Sequence, residues 1–368
     1  MLLEDSEMGK RKYLFVIPTL TLGGAERIVS ILGKTLCENG QDVTVVKFFA
    51  SADEYETGPA VKVVNLSGGV RKDYDGMSYL GKLRKLRSLI VSEKPDFVIP
   101  FMFPVSRDVF FATLGLRVTV IQSIRIDPAS GPSSPYKRRF RDWLVYRSKC
   151  TFVQNERQRA YFKKNQGRIH VLYNPVSEDL LQVEPLYANA VFTVSAAGRL
   201  ERQKNFPLLI DAFCRAFPEE GDAVLHIYGA GSLSAVLGRY IGEKGHSGSI
   251  RLMGRSDNMA EVYEKSDLFV LSSDFEGMPN ALIEAMACGL PCVSTDCPTG
   301  PSDLVEDGVN GLLVPVRDPE AMAKAIRRMY EDRTKAREMG RKAKETIKAK
   351  CDAGSIARRM IEICEAIK

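Results

Sequence analysis

The sequence contains no apolar run near the ~20 residues that a membrane-spanning helix needs. The longest candidate lies around Asp96–Val105 and is interrupted by prolines. The segment MLLEDSEMGKRK at positions 1–12 is charged and lacks the apolar centre of a signal peptide. We therefore expect a cytoplasmic protein.

The sequence also lacks a CxxC motif and a dinucleotide-binding motif. The eight cysteines form no CxxC pair, and the spacing of Cys288, Cys292 and Cys297 fits no usual zinc or disulfide scheme. We expect reduced, mostly buried thiols. The loop after the first apolar strand pattern is not GxGxxG, which disfavours a nicotinamide or flavin cofactor.

Charge is unevenly distributed along the chain. The net charge is +6, but residues 1–173 contain 28 Lys and Arg against 17 Asp and Glu, and residues 174–368 contain 24 against 29. This asymmetry indicates that the first half faces an anionic partner: nucleic acid, an anionic membrane surface or a phosphate-bearing substrate. The basic half lacks an aromatic–basic platform motif, which disfavours nucleic acid.

Short apolar runs alternate with helical patterns throughout the chain. KYLFVIP (Lys12–Pro18) predicts a buried strand, and Ala25–Gly40 predicts a helix that ends at a glycine. The second half repeats this pattern, with two helices expected after GLLVPV. The alternation predicts an α/β protein with two Rossmann-like, doubly wound parallel-sheet domains across a cleft. We place the domains at 1–173 and 174–351, and we expect a helix at about 352–368 to pack on the first domain.

Ligands of parallel sheets bind at the carboxyl ends of the strands, so the loops that follow strands are the candidate site. Gly23 and Gly24 would let a phosphate or sugar approach a helix N-terminus, or they form only a tight turn. Arg199 and Lys204 follow the first strand of the second half. They form either a diphosphate clamp or a solvated pair.

Two later loops carry further candidates. Met253 and Gly254 end a strand pattern, where they could hold a flat base. Glu276 lies on the loop before a helix, and Glu284 follows eight residues later. A carboxylate accepts two hydrogen bonds side by side, which suits the vicinal hydroxyls of a ribose. Two carboxylates with cations between them match a nucleotide sugar, and the alternative is a capping residue plus a surface glutamate.

Four segments together resemble glycosyltransferase family 4, the retaining sugar-nucleotide transferases of GT-B fold, over nearly the whole chain. They are PTLTLGGAER, AGRLERQKN, EGMPNALIEAMACGLPCV and GPSDLVEDGVNGLLVPVRD, in this order. The last two are specific, whereas the glycine turns are not. The resemblance implies a GT-B fold, a donor bound mainly by the C-terminal domain, and transfer without a metal or other cofactor. The sequence agrees, because no DxD-type pair stands at a strand end of the expected cleft.

The resemblance also implies roles for single residues. Arg199 and Lys204 bind the diphosphate, and Glu276 with the backbone after it holds the donor sugar. Glu284 binds the ribose, and the Gly23–Gly24 pair closes over the donor. The candidate catalytic residues are Arg199, Lys204 and Glu276. The expected donor-binding residues are Gly23, Gly24, Gly198, Arg199, Lys204, Met253, Gly254, Glu276, Gly277, Met278, Pro279, Asn280 and Glu284.

One segment departs from the family pattern. Many members carry a histidine on a loop of the N-terminal domain near the reacting sugar, but the corresponding IQSIRIDP (121–128) contains none. Its SIRIDP part resembles a bacterial polysaccharide-assembly subgroup. Arg125 and Asp127 are the candidate acceptor residues. Arg125 is expected to contact the acceptor phosphate or the donor, or else to form a structural ion pair with Asp127 or a neighbour.

The resemblance implies that the acceptor hydroxyl attacks the face from which the nucleotide leaves, and that the leaving diphosphate takes the proton. Arg199 and Lys204 would then stabilise the leaving group. We expect a UDP-hexose or UDP-N-acetylhexosamine donor and a polyprenyl-diphosphate-linked saccharide acceptor. The alternatives are a GDP-sugar donor and a non-enzymatic nucleotide-sugar-binding subunit of the same fold.

Two predicted helices of the basic half are amphipathic. They span Leu80–Lys94 and Tyr136–Lys149, and the second contains Arg138, Arg139 and Arg141. Such helices lie on anionic membrane surfaces, or they pack on a core with a solvated basic face. Both alternatives for the helices stay open. The excess of 11 positive charges in residues 1–173 favours an acceptor anchored in a membrane, and a peripheral position on the inner face of the cell membrane is the alternative to a purely cytoplasmic one.

Overall fold

The structure is a computed structural model that divides into two compact units. It describes residues 9–21, 23–51, 53–67, 78–188 and 190–367. Unit 1 comprises Met1–Pro175 and Ala353–Lys368, and unit 2 comprises Val176–Asp352.

Unit 1 is built on a parallel sheet. Its strands are β1 (Lys12–Ile17), β2 (Asp42–Lys47), β3 (Lys62–Asn65), β4 (Phe97–Pro100), β5 (Thr119–Ser123), β6 (Cys150–Val153) and β7 (Ile169–Val171). They lie in the order β3-β2-β1-β4-β5-β6-β7, with every neighbouring pair parallel. Residues 13–17 of β1 are all buried, as expected for a strand covered on both faces by helices.

Five helices connect these strands. They are α1 (Gly24–Glu38), α2 (Tyr79–Glu93), α3 (Phe103–Thr113), α4 (Pro135–Arg147) and α5 (Glu156–Tyr161). The sequence analysis did not predict α3, since it considered the prolines of this region only as interruptions of a possible membrane-spanning run. Pro104 lies in the first turn of α3, where a proline costs no intrahelical hydrogen bond.

Unit 2 repeats the architecture. Its strands are β8 (Phe192–Ala197), β9 (Ala223–Tyr228), β10 (Ile250–Gly254), β11 (Leu268–Leu271), β12 (Cys292–Thr295) and β13 (Leu312–Val314). The order is β10-β9-β8-β11-β12-β13, again fully parallel. The strand order reverses between β8 and β11, and in such sheets ligands bind at the carboxyl edge beside the reversal.

The helices of unit 2 follow the same alternation. They are α6 (Glu178–Gln182), α7 (Phe206–Ala216), α8 (Ser234–Glu243), α9 (Met259–Glu264), α10 (Asn280–Ala287), α11 (Pro301–Leu304), α12 (Pro319–Glu331) and α13 (Arg333–Cys351). One face of the sheet packs against the apolar sides of α7 and α12, which include Leu209, Phe213 and Ile326. The predicted α/β architecture with two doubly wound parallel sheets is confirmed.

A last helix, α14 (Ala353–Ala366), belongs to unit 1. Its Ile356 and Met360 share a core cluster with Leu32 of α1 and Phe15 of β1. Three helices therefore follow β13, and the prediction of two was wrong. Residues 319–351 are divided at Asp332 into α12 and α13. The Asp332 side chain accepts a hydrogen bond from Lys335 N and so caps the start of α13.

Two further features concern the whole described chain. All eight cysteines are free thiols and six of them are buried, which confirms the prediction. Within the described ranges, no helix combines the length and apolarity that crossing a bilayer requires.

Candidate active site

The loops after β8 and β11 meet at the strand reversal of unit 2. Asp274 N donates to Gln203 O at 2.9 Å, and Ser272 Oγ donates to Lys204 O at 2.8 Å. Asn205 Nδ2 donates to Asp274 Oδ1 at 3.0 Å. Because β8 and β11 are adjacent strands, these contacts align two loops that lie some 70 residues apart in the sequence.

The aligned loops bring Lys204 and Glu276 together. Lys204 Nζ lies 2.7 Å from Glu276 Oε1, and both side chains are largely buried. Ser273 Oγ donates to the same oxygen at 2.7 Å, and Gln203 Nε2 donates to Oε2 at 3.3 Å. The carboxylate is therefore fixed by one cation, one hydroxyl and one amide.

The backbone around Glu276 is fixed as well. Thr299 Oγ1 donates to Glu276 O. Gly300, at φ +100°, lies so close to the Gly277–Asn280 turn that an added Cβ would be 2.7 Å from Pro279 Cδ. The loop before α11 thus supports the turn before α10, which joins two segments that the sequence singled out separately.

Arg199 lies on the same β8 loop but is exposed. Among the residues that the structure describes, it forms no ion pair. Gly198 precedes it, and a Cβ there would lie 2.8 Å from Lys204 Cε. The sequence therefore places a free guanidinium and a paired ammonium on one short loop.

Hydrogen bonds connect the β8, β9 and β10 loops side by side. Gly198 N donates to Tyr228 O at 3.0 Å, and Gly229 N donates to Gly254 O at 2.7 Å. Gly229 has φ +140°, and a Cβ there would lie 1.9 Å from Gly198 O. Only glycine fits this approach, so the glycine-rich turn after β9 serves packing between the loops.

Met253 projects at an irregularity of the β10 edge strand. The register with β9 shifts between Leu252 and Gly254, and the Met253 side chain is 44% exposed. Gly254 takes φ +72° immediately after it. The shift places an apolar side chain in solvent beside the loops, where a flat base could pack.

Glu284 is buried on α10 and is held from a neighbouring helix. Tyr263 Oη, on α9, donates to Glu284 Oε2 at 3.1 Å, and Tyr263 is itself fully buried against Phe269. The alternative of a capping residue plus a surface glutamate is wrong, because Glu284 is buried and Pro279 occupies the N-cap without a side-chain bond.

The helix begins only at Asn280. The helical rise from there to Glu284 is therefore about 6 Å at 1.5 Å per residue. The remaining residues between Glu276 and Glu284 form the turn.

Gly23 and Gly24 lie at the start of α1 in unit 1. Gly23 is extended, with φ −129°, and a Cβ there would lie 2.5 Å from Glu26 Oε2. The Glu26 carboxylate in the first turn thus folds back over the helix N-terminus. Contact of this pair with a donor held by unit 2 stays a prediction.

Arg125 and Asp127 do not pair with each other. Arg125 Nε donates to Ser123 Oγ at 2.7 Å, and Nη1 donates to Asn174 Oδ1 at 3.1 Å. Asp127 instead accepts from Ala129 N at 3.0 Å and from the Ser130 hydroxyl. The structural ion pair between Arg125 and Asp127 is excluded, since the aspartate closes its own turn.

The basic helices are only partly solvated. Arg141 on α4 is 3% exposed, and it donates to Pro128 O at 2.8 Å, to Gly131 O and to the Asp142 carboxylate. The expectation that Arg141 faces a membrane is therefore wrong, because it ties α4 to the preceding turn. On α2, Lys82 pairs with the buried Asp108 at 2.6 Å.

Three residues of the site were missed by the sequence analysis. Gln203 and Ser273 lie beside predicted site residues on the strand-end loops, and that position was a usable signal. Tyr263 carried no signal, because its contact with Glu284 depends on how α9 packs against α10.

Comparison with known proteins adds the family. The model described as "Glycosyltransferase Family 4" matches residues 22–180, and "Glycosyl transferases group 1" matches residues 191–332. A GalNAc-α-(1→4)-GalNAc-α-(1→3)-diNAcBac-PP-undecaprenol α-1,4-N-acetyl-D-galactosaminyltransferase of Campylobacter jejuni is 27% identical over 347 residues. That match covers 92% of this chain and 94% of the relative.

Two other similarities differ in extent. An exopolysaccharide phosphotransferase of Streptomyces coelicolor is 33% identical over 198 residues, which is 52% of this chain, but the chain spans only 21% of that relative. The crystal structure of Anabaena HepE in complex with UDP and glucose has a TM-score of 0.82 at 20% identity. It covers 97% of this chain and 100% of its own. The two models, one of them that of glycosyltransferase family 4, together match most of the chain, which is therefore a glycosyltransferase of the GT-B fold.

Proposed function

We propose that the protein transfers a sugar from a UDP-sugar to a saccharide acceptor linked to a polyprenyl diphosphate, with retention at the anomeric carbon. The observation that carries this proposal is the Lys204–Glu276 pair at the strand reversal of unit 2, beside the exposed Arg199. It supplies cations for a diphosphate and a fixed carboxylate for a sugar within one loop pair.

The relatives support the substrate classes. The C. jejuni enzyme that matches over nearly its full length is named for a diphospho-undecaprenol-linked saccharide. HepE, which shares the fold, was crystallised with UDP and glucose. A UDP-hexose or UDP-N-acetylhexosamine is the donor that we propose on this basis.

The charges of the site suit a diphosphate. Glu276 pairs with Lys204, and the exposed Arg199, which forms no ion pair within the described residues, supplies the second cation. The ammonium of Lys204 has three donors, and one of them serves Glu276. The others would reach the diphosphate, with the planar guanidinium of Arg199 beside them.

Glu276 retains a single acceptor position for the donor sugar. An ionised carboxylate offers about four lone-pair positions. Lys204 and Ser273 use two on Oε1, and Gln203 uses one on Oε2. Within the described residues the remaining position on Oε2 is open, and we assign it to one sugar hydroxyl.

The ribose would bind Glu284. Tyr263 orients this carboxylate from the buried side, which leaves the orientation independent of the ligand. Met253 and Gly254, at the neighbouring strand edge, would contact the base.

In the transfer step, the acceptor hydroxyl oxygen forms the new bond to the anomeric carbon on the face that the nucleotide leaves. The bond from that carbon to the β-phosphate oxygen breaks, and the acceptor proton passes to the leaving diphosphate. Arg199 and Lys204 stabilise the charge that develops there. We propose that these cations take the place of a metal ion, so transfer should persist in EDTA.

The proposed location of the protein follows from its proposed acceptor, which is anchored in a membrane. We place the protein in the cytoplasm, on the inner face of the membrane that holds a polyprenyl acceptor. The exposed side chains of α4 support this, since Lys137 and Arg139 lie beside Tyr136 and Trp143. Basic and aromatic side chains together favour an anionic membrane surface.

The first test is calorimetric binding of UDP, GDP and NAD to the wild-type protein and to Glu284→Ala. We expect UDP to bind at micromolar concentration, and the variant to bind it at least tenfold more weakly. Glu331→Ala, at an exposed glutamate of α12, is the control and should bind like wild type. Tighter binding of GDP than of UDP would indicate a GDP-sugar donor instead of a UDP-sugar. If neither nucleotide bound, the proposed donor site would be contradicted.

A second assay separates a transferase from a binding subunit. UDP release from UDP-sugars is measured with and without a polyprenyl-diphosphate-linked saccharide, in the presence of EDTA. Acceptor-dependent release supports the transferase. Tight UDP binding without release from any tested donor would favour the binding subunit.

A further inference from the structure

Arg125 is a half-buried cation with only neutral partners. It lies two residues beyond β5, at the carboxyl edge of the unit 1 sheet. Its Nε donates to Ser123 Oγ, its Nη1 donates to Asn174 Oδ1, and its guanidinium lies 5.0 Å over the Phe101 ring. Across the residues described, no carboxylate forms an ion pair with it.

The neutral partners are themselves held in place. Asn174 Oδ1 also accepts from Gln154 Nε2 at 2.8 Å. Gln154 N donates to Gln158 Oε1 at 2.8 Å, and all three amide residues are at most 2% exposed. A buried amide network therefore fixes the Arg125 side chain without supplying a negative charge.

Several cations of unit 1 with comparable burial have an anion, whereas Arg87 and Arg138 are held by backbone carbonyl groups. Arg141 has Asp142, Lys82 has Asp108, and Lys47 has Glu54. Burying a charge is costly unless an opposite charge or strong hydrogen bonds compensate. Burial lowers the pKa of Arg125 to about 10, so the group remains a cation at neutral pH. Its side-chain partners among the described residues are a hydroxyl and an amide, and neither supplies a compensating charge.

One terminal nitrogen of Arg125 is left without a partner in the described part of the chain. Nη2 has no hydrogen-bond partner among the described residues, and it is not one of the buried orphan atoms. The fork of a guanidinium matches two oxygens of a phosphate. Ligands of parallel sheets bind at the carboxyl ends of the strands, which is where Arg125 lies.

We infer that Arg125 binds a phosphate oxyanion of the acceptor, with Asn174 as its positioning residue. This inference rests on the proposed function, because it assigns the diphosphate of a lipid-linked acceptor to unit 1. It also removes Asp127 from the acceptor site, since that carboxylate closes its own turn. In this inference, a phosphate group of the acceptor provides the negative charge that Arg125 lacks among its described protein partners.

The test uses the full chain and inorganic pyrophosphate as the probe. UDP is first added to saturation, which occupies the donor diphosphate site, and pyrophosphate binding is then measured by calorimetry. We expect wild type to bind pyrophosphate under these conditions. Arg125→Gln should bind it at least tenfold more weakly while its affinity for UDP stays within twofold.

Two further variants sharpen the result. Asn174→Asp places a carboxylate beside the guanidinium and should abolish the pyrophosphate site with UDP binding intact. Arg117→Gln, at an exposed arginine just before β5, is the matched control for net charge and should behave as wild type. Thermal melts establish that each variant is folded.

Several outcomes would overturn the inference. Wild type that binds no pyrophosphate once UDP is bound has no second anion site. Retained pyrophosphate binding in Arg125→Gln assigns the site elsewhere, and a parallel loss of UDP binding assigns Arg125 to the donor. Failure of wild type to bind any UDP is a separate result, which contradicts the donor proposal. In that case pyrophosphate binding without UDP, compared between wild type and Arg125→Gln, still decides the Arg125 site.

Discussion

Lys204 and Glu276 are 72 residues apart in the sequence, and their Nζ and Oε1 atoms are 2.7 Å apart. They meet because β8 and β11 are adjacent at the point where the strand order reverses. The pair is therefore a direct product of the topology. Under the proposed function, stability and donor binding would depend on the same two side chains.

Lys204→Met should lower both turnover and stability. Removing one partner of a buried ion pair leaves the other charge uncompensated, at a cost of about 3 kcal/mol. The double variant Lys204→Met/Glu276→Gln removes both charges, so its stability loss should be smaller than that of Lys204→Met alone. Urea unfolding followed by circular dichroism measures this, because the single tryptophan, Trp143, lies in unit 1.

Turnover separates the two roles of the pair. Both the single and the double variant should lose transfer activity, since neither presents an ammonium to the diphosphate. If Lys204→Met turned over at the wild-type rate, Lys204 would have no catalytic role, whatever the effect of the substitution on stability.

Tyr263→Phe should weaken UDP binding about tenfold, which corresponds to about 1.4 kcal/mol. The variant keeps the buried ring and loses the hydroxyl, which donates to Glu284 Oε2 at 3.1 Å and lies 3.4 Å from Ala281 O. Tyr240→Phe is the matched control, because Tyr240 Oη donates to Asp211 at 2.7 Å outside the site. Equal UDP affinities in the two variants would show that Tyr263 does not position Glu284 for the ligand.

Gly198→Ala should mainly weaken UDP binding, whereas Gly229→Ala should mainly lower the stability of the fold. An alanine at 198 meets the flexible Lys204 side chain, so the protein should fold and bind UDP more weakly. An alanine at 229 meets the Gly198 carbonyl at a φ that L residues rarely adopt, so the protein should be strongly destabilised. Melting temperature and UDP affinity distinguish the two. Gly238→Ala on α8, with no atom near its Cβ, is the control and should be tolerated.

Unit 2 should lose stability below about pH 6.5 through His226. Burial first, and then Arg251, lower the pKa of this histidine below its ordinary 6.5. The unfolded chain therefore binds the proton more readily, and the stabilising contribution disappears as the pH falls through the folded-state pKa. In His226→Gln, the urea midpoint should change less between pH 7.5 and pH 5 than in wild type. An unchanged pH dependence would assign the acid sensitivity to other groups.

Binding to anionic vesicles should depend on Lys137 and Arg139 rather than on Arg141. Replacing both exposed cations with glutamine should reduce flotation with phosphatidylglycerol vesicles, and salt should reduce it in wild type. Arg141→Gln is expected to lower the melting temperature, because it removes the bonds to Pro128 and Gly131. Flotation that is insensitive to the Lys137 and Arg139 replacements would exclude α4 as the membrane surface.

The sequence predicted the architecture because local patterns determine it. Buried runs such as residues 13–17 and amphipathic helices such as α7 are visible in the periodicity alone, and parallel strands place their following loops at one edge. The helix α3 was missed because a proline marks a helix start as well as an interruption.

The remaining errors concern contacts between distant segments. Arg141 was assigned to solvent from its helix pattern, yet carbonyl groups of the turn before α4 draw it inward. The partner of Arg125, Asn174, is 49 residues away and is amide rather than acid. Periodicity reports which face of an element is apolar, and it does not report which polar groups from elsewhere meet that face.

The membership of α14 in unit 1 has a consequence for synthesis. On the ribosome, residues 1–175 emerge first, but the cluster around Leu32 and Phe15 still lacks Ile356 and Met360 at that stage. Unit 2 has its own core and emerges complete before them. The unit that is translated first is therefore the last to finish folding, and a premature stop before codon 353 would damage the amino-terminal unit while leaving the carboxyl-terminal one whole.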